Sequence, residues 1–176
     1  MKILVIGDTH GKLNKARDVI SRLKGLDLII HTGDYITDGE ILENETKIPV
    51  VRVKGNCDGS MSQNDYEIVD TEYGKIFVVH GHMHQNPDNL YYAAKEHGCI
   101  AAITGHTHVP VYEQEDDMYI LNPGSLSRPR DGSNGSYIVL TATESTFGAS
   151  VLYYNDGPSG VKGGFIKSIL NYSDRF

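Results

Sequence analysis

Five short polar motifs, each following an apolar run, are the part of this sequence best suited to carry chemistry. Apolar runs of this length bounded by glycine are typical of buried strands, so the motifs are expected at strand ends. Side chains at the ends of neighbouring strands can converge, as ligand sites do outside the carboxyl ends of α/β strands. The candidates are Asp8, His10, Asp34, Asn56, Asp58, His80, His82, His106 and His108. Together these carboxylate, amide and imidazole groups predict a binuclear metal site.

The types and spacing of these residues favour a transition metal. The D-x-H and H-T-H motifs each place two side chains on the same side of an extended segment, because strand side chains alternate. Nitrogen and oxygen ligands without thiolate suit Mn²⁺, Fe, Ni²⁺ or Zn²⁺ rather than Ca²⁺, and differ from a cysteine-rich structural zinc site. Asp8 and His10 alone could instead be turn residues, since Asp is a common helix cap. The other four motifs favour the metal site.

In their order along the chain, D-x-H, G-D, G-N-x-D, H-G-H and G-H-T-H resemble the motifs of the metallophosphoesterase (calcineurin-like phosphoesterase) superfamily. In its compact length, its G-N-C-D motif and its NPGS segment at residues 122–125, the chain resembles the small bacterial and archaeal phosphodiesterase branch of this superfamily. The motif-bearing part runs from residue 1 to about residue 125. The resemblance implies an α/β fold, a four-layered α/β/β/α sandwich of two mixed sheets flanked by helices, with the second sheet mainly antiparallel.

The resemblance also implies roles for individual residues. Asp34 would bridge two divalent metal ions, with Mn²⁺ as the expected metal and Ni²⁺, Zn²⁺ or Fe as alternatives. One ion would be held by Asp8, His10 and His108, and the other by Asn56, His80 and His106. A metal-bridging hydroxide would then attack phosphorus in line. His82 would face the phosphate, and Asp58 would be an orienting partner.

Cys57 departs from the family pattern. Many metallophosphoesterases carry G-N-H-[DE], and the histidine is the expected proton donor to the leaving group, whereas this chain has G-N-C-D. Cys57 therefore occupies a candidate catalytic position. A free thiol has a pKa of about 8.5 and donates a proton poorly at neutral pH. The change favours small phosphodiesters with good leaving groups over simple alkyl monoesters.

Length and charge limit the classes of function. The 176 residues predict one domain, 1–176, with 155–176 as a C-terminal extension. The 16 Lys and Arg against 23 Asp and Glu give a net charge of −7, which argues against a nucleic-acid partner but not against a small phosphorylated substrate. Two cysteines are too few for a secreted disulfide framework, and no apolar run approaches about 18 residues. A cytoplasmic protein without membrane contact is expected.

The first part of the chain alternates strands and helices. Strands are predicted at residues 2–7, 27–32 and 49–54, with helices at 12–24 and 38–46. This order implies right-handed crossovers and a largely parallel sheet. Beyond residue 59, the predicted elements are strands at 66–71 and 75–79, a helix from Asn86 to His97, and strands at 99–104, 109–114, 118–121, 136–141 and 149–154.

The pattern weakens from residue 155. Phe165, Ile166, Ile169 and Leu170 are predicted to share one side of a short helix. Because an apolar face needs a partner, this side would pack on its own domain or across the interface of a homo-oligomer.

Other histidines and Cys99 favour structural roles. His31 lies within an apolar strand, which favours a hydrogen-bonded core histidine, and His97 lies at a helix end, where a cation is favourable. Cys99 is most simply a small buried hydrophobic residue. His84 follows the H-G-H motif, and both substrate contact and a plain loop position stay open for it.

The leading hypothesis is a phosphodiesterase, and the main alternative is a non-catalytic protein-interaction scaffold on the same fold. The eukaryotic retromer subunit, which resembles these proteins, is the precedent for the alternative. Loss of ligand positions would favour a scaffold, but every position is filled here. A nuclease is less favoured, since no basic groove is apparent. Substrate specificity would lie in loops such as residues 60–65, 85–89 and 125–134, whose sequences do not indicate which substrate they bind.

Overall fold

The structure, a computed structural model, describes residues 1–59, 65–84 and 86–155. Its first part alternates strands and helices, in the order β1 Lys2–Ile6, α1 Asn14–Arg22, β2 Leu28–His31, α2 Ile36–Thr46 and β3 Val50–Arg52. The second part contains β4 Tyr66–Asp70, β5 Lys75–Val79, α3 Pro87–Glu96, β6 Cys99–Ile103, β7 Pro110–Glu115, β8 Met118–Pro123, β9 Ser136–Thr143 and β10 Thr146–Tyr153. Each predicted helix and strand within these residues is present, with ends shifted by a few residues.

The strands form two five-stranded sheets. Their orders are β10-β9-β1-β2-β3 and β4-β5-β6-β8-β7. Strand β1 illustrates the layering, because its side chains alternate between the two faces of the sheet. Ile3 and Val5 enter the core between the sheets, whereas Leu4 and Ile6 pack against α1 and α2. Helix α3 covers the outer face of the second sheet, so the predicted α/β/β/α sandwich is confirmed.

The second sheet differs from the sequence expectation in one respect. Strands β5, β6 and β8 run parallel, and only the outer pairs β4–β5 and β7–β8 are antiparallel. The prediction of a mainly antiparallel second sheet is therefore wrong. The reason is that α3 is a crossover connection: it returns the chain to the start of the sheet, which lays β6 parallel to β5.

The cap of α3 follows its sequence signal. Asn86 precedes the helix in an extended conformation, and its side-chain oxygen accepts a hydrogen bond of 3.0 Å from the backbone N–H of Asp88. Pro87 occupies the first turn, where a missing N–H costs nothing. The helix ends at Glu96 and is followed by His97 and Gly98, as predicted.

The predicted C-terminal apolar side of Phe165, Ile166, Ile169 and Leu170 lies outside the described residues. Among the described residues, no helix has the length and apolar character needed to cross a membrane.

The parallel strands bring the polar motifs together. β1 and β2 are parallel in one sheet and β5 and β6 in the other, so each pair ends at one edge. A hydrogen bond joins the two edges, since Nδ1 of His80, after β5, lies 2.8 Å from the carbonyl oxygen of Thr32, after β2. The backbone N–H of Gly105, after β6, donates to the carbonyl of His80 at 2.9 Å.

Candidate metal centre

The backbone is strained where the predicted ligands lie. Eight non-glycine residues of the described chain have positive φ, and five of them are predicted ligands. These are Asp8 (51°), His10 (48°), Asp34 (47°), His106 (67°) and His108 (60°). The left-handed region costs an L-residue about 1–3 kcal/mol and persists only where the surroundings enforce it. Its concentration in these five residues is typical of a functional site.

The first group of ligand-type side chains joins the end of β1 to the turn after β6. Asp8, His10 and His108 each offer a ligand atom, and these atoms lie within 4.8 Å of one another. The Nε2 atom of His108 lies 3.3 Å from Oδ1 of Asp8 and 3.3 Å from Nε2 of His10. The Nδ1 atom of His108 donates to the carbonyl of Arg128 at 2.7 Å, which directs Nε2 of the neutral ring toward the group.

The second group surrounds His80, which is fully buried. Its Nδ1–H donates to the carbonyl of Thr32, so Nε2 of the neutral ring carries a lone pair. This Nε2 atom lies 3.1 Å from Oδ1 of Asn56 and 3.3 Å from Oδ1 of Asp34. Asp34 also lies between the two groups, because its other oxygen is 3.9 Å from Nε2 of His10.

The chemistry of these atoms fits metal ions. Around His80, a ring nitrogen and two oxygens face one another with lone pairs, an arrangement that a cation relieves. Oδ1 of Asp8 is buried and accepts no hydrogen bond from any described residue. Buried oxygens are normally satisfied, so an orphaned carboxylate oxygen beside two histidines indicates a cation ligand.

His106 and His82 lie beside the second group. The ring of His106 is 5.2 Å from the ring of His80, centroid to centroid, and its backbone N–H donates to Oδ2 of Asp8 at 3.0 Å. The ring of His82 lies 5.4 Å from that of His80 and 6.3 Å from that of His106. The structure therefore brings all seven predicted ligands and His82 to one place.

Local electrostatics keep most of these groups in the form that binds a metal. Burial lowers the pKa of His10, His82 and His106, which favours neutral imidazole. The carboxylate of Asp8, 3.3 Å from the ring of His108, is the main cause that raises the pKa of His108. Burial alone would raise the pKa of Asp34, but the hydrogen bonds from Cys57 and the neighbouring His80 hold this pKa below its ordinary value, so the carboxyl is charged.

Cys57 is bonded to Asp34. Its backbone N–H donates to Oδ1 at 3.0 Å and its thiol lies 3.3 Å from Oδ2. Partial desolvation, then the hydrogen bond to this carboxylate, raises the pKa of the thiol, which stays protonated at neutral pH. The sulfur also lies within 4.8 Å of ligand atoms of His10 and Asp34.

Asp58 orients backbone. Its two oxygens accept from the N–H groups of Ile36, at 2.7 Å, and Gly55, at 2.8 Å. These bonds tie the turn after β3 to the first turn of α2, and thereby place Asn56 and Cys57 opposite Asp34. The role of Asp58 as an orienting partner in catalysis stays a prediction.

A buried network beneath the site explains His31. Its Nε2 lies 2.9 Å from the hydroxyl of Thr9, which donates to Asp38 at 2.6 Å, and the backbone N–H of Gly33 points at its Nδ1 at 3.4 Å. Asp38 also accepts from the N–H of Gly11 at 2.8 Å. The prediction of a hydrogen-bonded core histidine is confirmed, and the network holds the segments that carry the D-x-H and G-D motifs.

A cleft of about 460 Å³ opens over the ligands and contains two residues that sequence interpretation missed. Its lining is His10, Asp34, Asn56, Cys57, His106, His108, Arg128, Pro129 and Arg130. The arginines lie in the loop after the NPGS motif, whose sequence does not by itself indicate a binding role. The signal in the sequence that could have identified them is the pair of positive charges itself, because a phosphate site attracts cations.

The remaining candidates lie elsewhere. His84 lines a separate, larger hollow beside α3, with Met83 and Tyr92, and does not line the cleft. His97 stacks on Phe77 at 5.7 Å after α3. Cys99 is buried in the core beneath α3, as predicted.

Comparison with known proteins agrees with the metal-binding geometry of the site. The sequence pattern of the calcineurin-like phosphoesterase superfamily domain matches residues 1–145. The chain belongs to this superfamily. This metallophosphoesterase is 32% identical over 170 residues to the probable metallophosphoesterase YsnB of Bacillus subtilis, covering 92% of this chain and 95% of the relative. It is 30% identical over 164 residues to the phosphodiesterase YfcE of Escherichia coli, covering 80% and 87%.

Among solved structures, this metallophosphoesterase is similar to Vacuolar Protein Sorting 29 from Cryptosporidium parvum. The TM-score is 0.78 at 21% identity, and 97% of each chain is covered. At that identity the likeness shows the shared fold alone.

Proposed function

We propose that this metallophosphoesterase is a phosphodiesterase that hydrolyses small phosphodiesters with the help of two divalent metal ions. The observation that carries the proposal is the convergence of lone pairs around His80 and Asp8, which bound cations would satisfy. The proposed ligands are Asp8, His10 and His108 for one ion and Asn56, His80 and His106 for the other, with Asp34 between them.

The bound ions would supply activation of water and neutralisation of charge on the phosphoryl oxygens. In the overall reaction an oxygen from water becomes bonded to phosphorus, the bond from phosphorus to the leaving oxygen breaks, and that oxygen takes up a proton. His82, beside the rings of His80 and His106, is proposed to face the substrate phosphate. The protonated thiol of Cys57 lines the cleft as a weak acid.

The resident metal, the cellular location and the assembly of the protein are also part of the proposal. Mn²⁺ is the proposed resident metal, since a mixed nitrogen and oxygen ligand set accepts it. A cytoplasmic location is proposed, in keeping with the small number of cysteines and their free thiols. A homo-oligomer is proposed as one possible assembly, with small phosphorylated molecules rather than nucleic acid as substrate.

A protein-interaction scaffold is the second candidate. The fold shared with Vacuolar Protein Sorting 29 favours it. The complete ligand set, held in strained backbone, favours the enzyme, because a scaffold has no need for lone pairs that face one another in its interior.

The test is hydrolysis of bis(p-nitrophenyl) phosphate by protein stripped with a chelator and then supplied with one metal at a time. We expect no release of nitrophenolate without metal, and restoration by Mn²⁺. Absence of hydrolysis with Mn²⁺, Ni²⁺, Zn²⁺ and Fe²⁺ alike, by protein with an unchanged circular dichroism spectrum, would favour the scaffold.

Gly105→Ala is expected to weaken metal binding, because a Cβ there would lie 2.8 Å from Oδ2 of Asp8 and 2.5 Å from the hydroxyl oxygen of Thr32. Displacing a ligand carboxylate through its support typically costs roughly 10- to 100-fold in affinity. Calorimetric titration with Mn²⁺ measures it. Gly148→Ala, where the added Cβ meets nothing within 4 Å, is the matched control and should bind as the parent does. Equal affinities for the two variants would contradict the placement of Asp8.

A further inference from the structure

Arg128 and Arg130 line the cleft with two positively charged side chains. Among the described residues, no carboxylate forms an ion pair with either guanidinium. The other described arginines are all paired, Arg17 with Glu45, Arg22 with Asp18, and Arg52 with Glu40 and Glu43. In a chain with a net charge of −7, two exposed arginines that pair with no described carboxylate, beside the ligand groups, indicate an anionic binding partner.

The backbone that carries these arginines is fixed to the site. The carbonyl of Arg128 accepts from His108, and the N–H of Arg130 donates to the carbonyl of His108 at 3.1 Å. The N–H of Arg128 donates to the hydroxyl of Ser125 at 2.9 Å, and that hydroxyl donates to the carbonyl of Asp8 at 2.9 Å. The backbone from which both guanidinium groups extend is therefore held in place by hydrogen bonds to His108 and, through Ser125, to Asp8.

Pro129 separates the two arginines and lines the same cleft. Its ring fixes one backbone dihedral angle, which limits the relative motion of its neighbours.

We propose that Arg128 and Arg130 bind a second anionic group of the substrate, a terminal phosphate, so that the preferred substrates are phosphodiesters carrying an additional phosphate. The inference rests on the proposed function, in which the metal ions meet the charge of the scissile phosphate and leave the guanidiniums for another anion. A guanidinium fork matches two oxygens of a phosphate. The cleft volume of about 460 Å³ falls within the usual range for small-molecule sites.

The experiment compares two diesters that share the scissile phosphorus and the leaving group. These are the p-nitrophenyl esters of thymidine 5′-phosphate, with and without a 3′-phosphate. We expect kcat/KM of the parent enzyme to favour the 3′-phosphorylated ester by roughly 10- to 100-fold, the range for charge-assisted hydrogen bonds. The double variant R128A/R130A should bring this ratio near one, and R128K/R130K should retain part of it.

Arg17→Ala is the matched control, because it removes the same charge from an exposed ion pair on α1 and should keep the full ratio. Calorimetry supplies a second readout without catalysis: thymidine 3′,5′-bisphosphate should bind the parent more tightly than thymidine 5′-phosphate, and R128A/R130A should bind both equally.

A ratio near one in the parent, or a ratio that survives the double substitution, would overturn the inference and leave the phosphodiesterase proposal standing. Failure to hydrolyse either ester with any metal would overturn the proposed function instead. In that case the two calorimetric affinities still decide whether the arginines select the second phosphate.

Discussion

Asp34→Ala is expected to abolish phosphodiesterase activity while the fold persists. Asp34 has an oxygen near each of the two groups, 3.3 Å from His80 and 3.9 Å from His10. Without it, two dications would repel each other with no anionic ligand between them. Losing several kcal/mol of metal-assisted stabilisation corresponds to a fall of roughly 10³-fold or more in kcat/KM. Hydrolysis of bis(p-nitrophenyl) phosphate at saturating Mn²⁺ measures the fall.

The control for this substitution is Glu45→Ala. Glu45 is an exposed carboxylate near the far end of α2, the helix that follows Asp34, and it pairs only with Arg17 among the described residues. We expect parental rates for this variant. A folded Asp34→Ala protein, with an unchanged melting temperature and a rate within a few-fold of the parent, would contradict the assigned role.

Cys57 is expected to make the rate depend steeply on the leaving group. Partial desolvation and the hydrogen bond to Asp34 raise the pKa of its thiol, so it is a poor acid at neutral pH. General acid catalysis typically supplies ~10²–10⁴-fold, and that factor would be missing for alkoxide but scarcely needed for nitrophenolate. Bis(p-nitrophenyl) phosphate should therefore be hydrolysed well and simple alkyl monoesters poorly.

Cys57→His should recover part of the missing rate for alkyl esters, provided that the turn held by Asp58 can orient the imidazole. Cys57→Ala is the matched control, and it should leave the dependence on leaving-group pKa as steep as in the parent. A parent enzyme that turned over alkyl and aryl esters at similar chemical rates would defeat the argument. Another acid, with His82 as the first candidate, would then have to protonate the leaving group.

The fold and the convergence of the ligands were predictable because their signals are local. Strand β1 reads as an apolar run in which Ile3 and Leu4 face opposite cores, and its polar motif follows at once. The parallel pairing of β5 with β6 was mispredicted, although the predicted helix between these strands already indicates a crossover. The parallel position of β8 beside β6 depends on how the hairpin of β7 and β8 docks, and sequence periodicity carries no information on that choice.

The supporting contacts of the site were also beyond the sequence. Thr9 and Asp38 lie 29 positions apart and meet only after β1 and α2 have packed. The backbone contacts of Asp58 and the position of Arg128 and Arg130 over the cleft depend on loop conformation in the same way. A loop has no repeating period, so the sequence alone did not indicate where its two arginines lie.

The central claim is that this chain holds two divalent ions at the converged ligands. Its most direct test is metal analysis of the purified wild-type protein after saturation with Mn²⁺ and removal of free ion, with protein concentration determined independently. We expect two ions per chain, and fewer than two in Asp34→Ala. One ion or none in the folded wild-type protein would contradict the binuclear site.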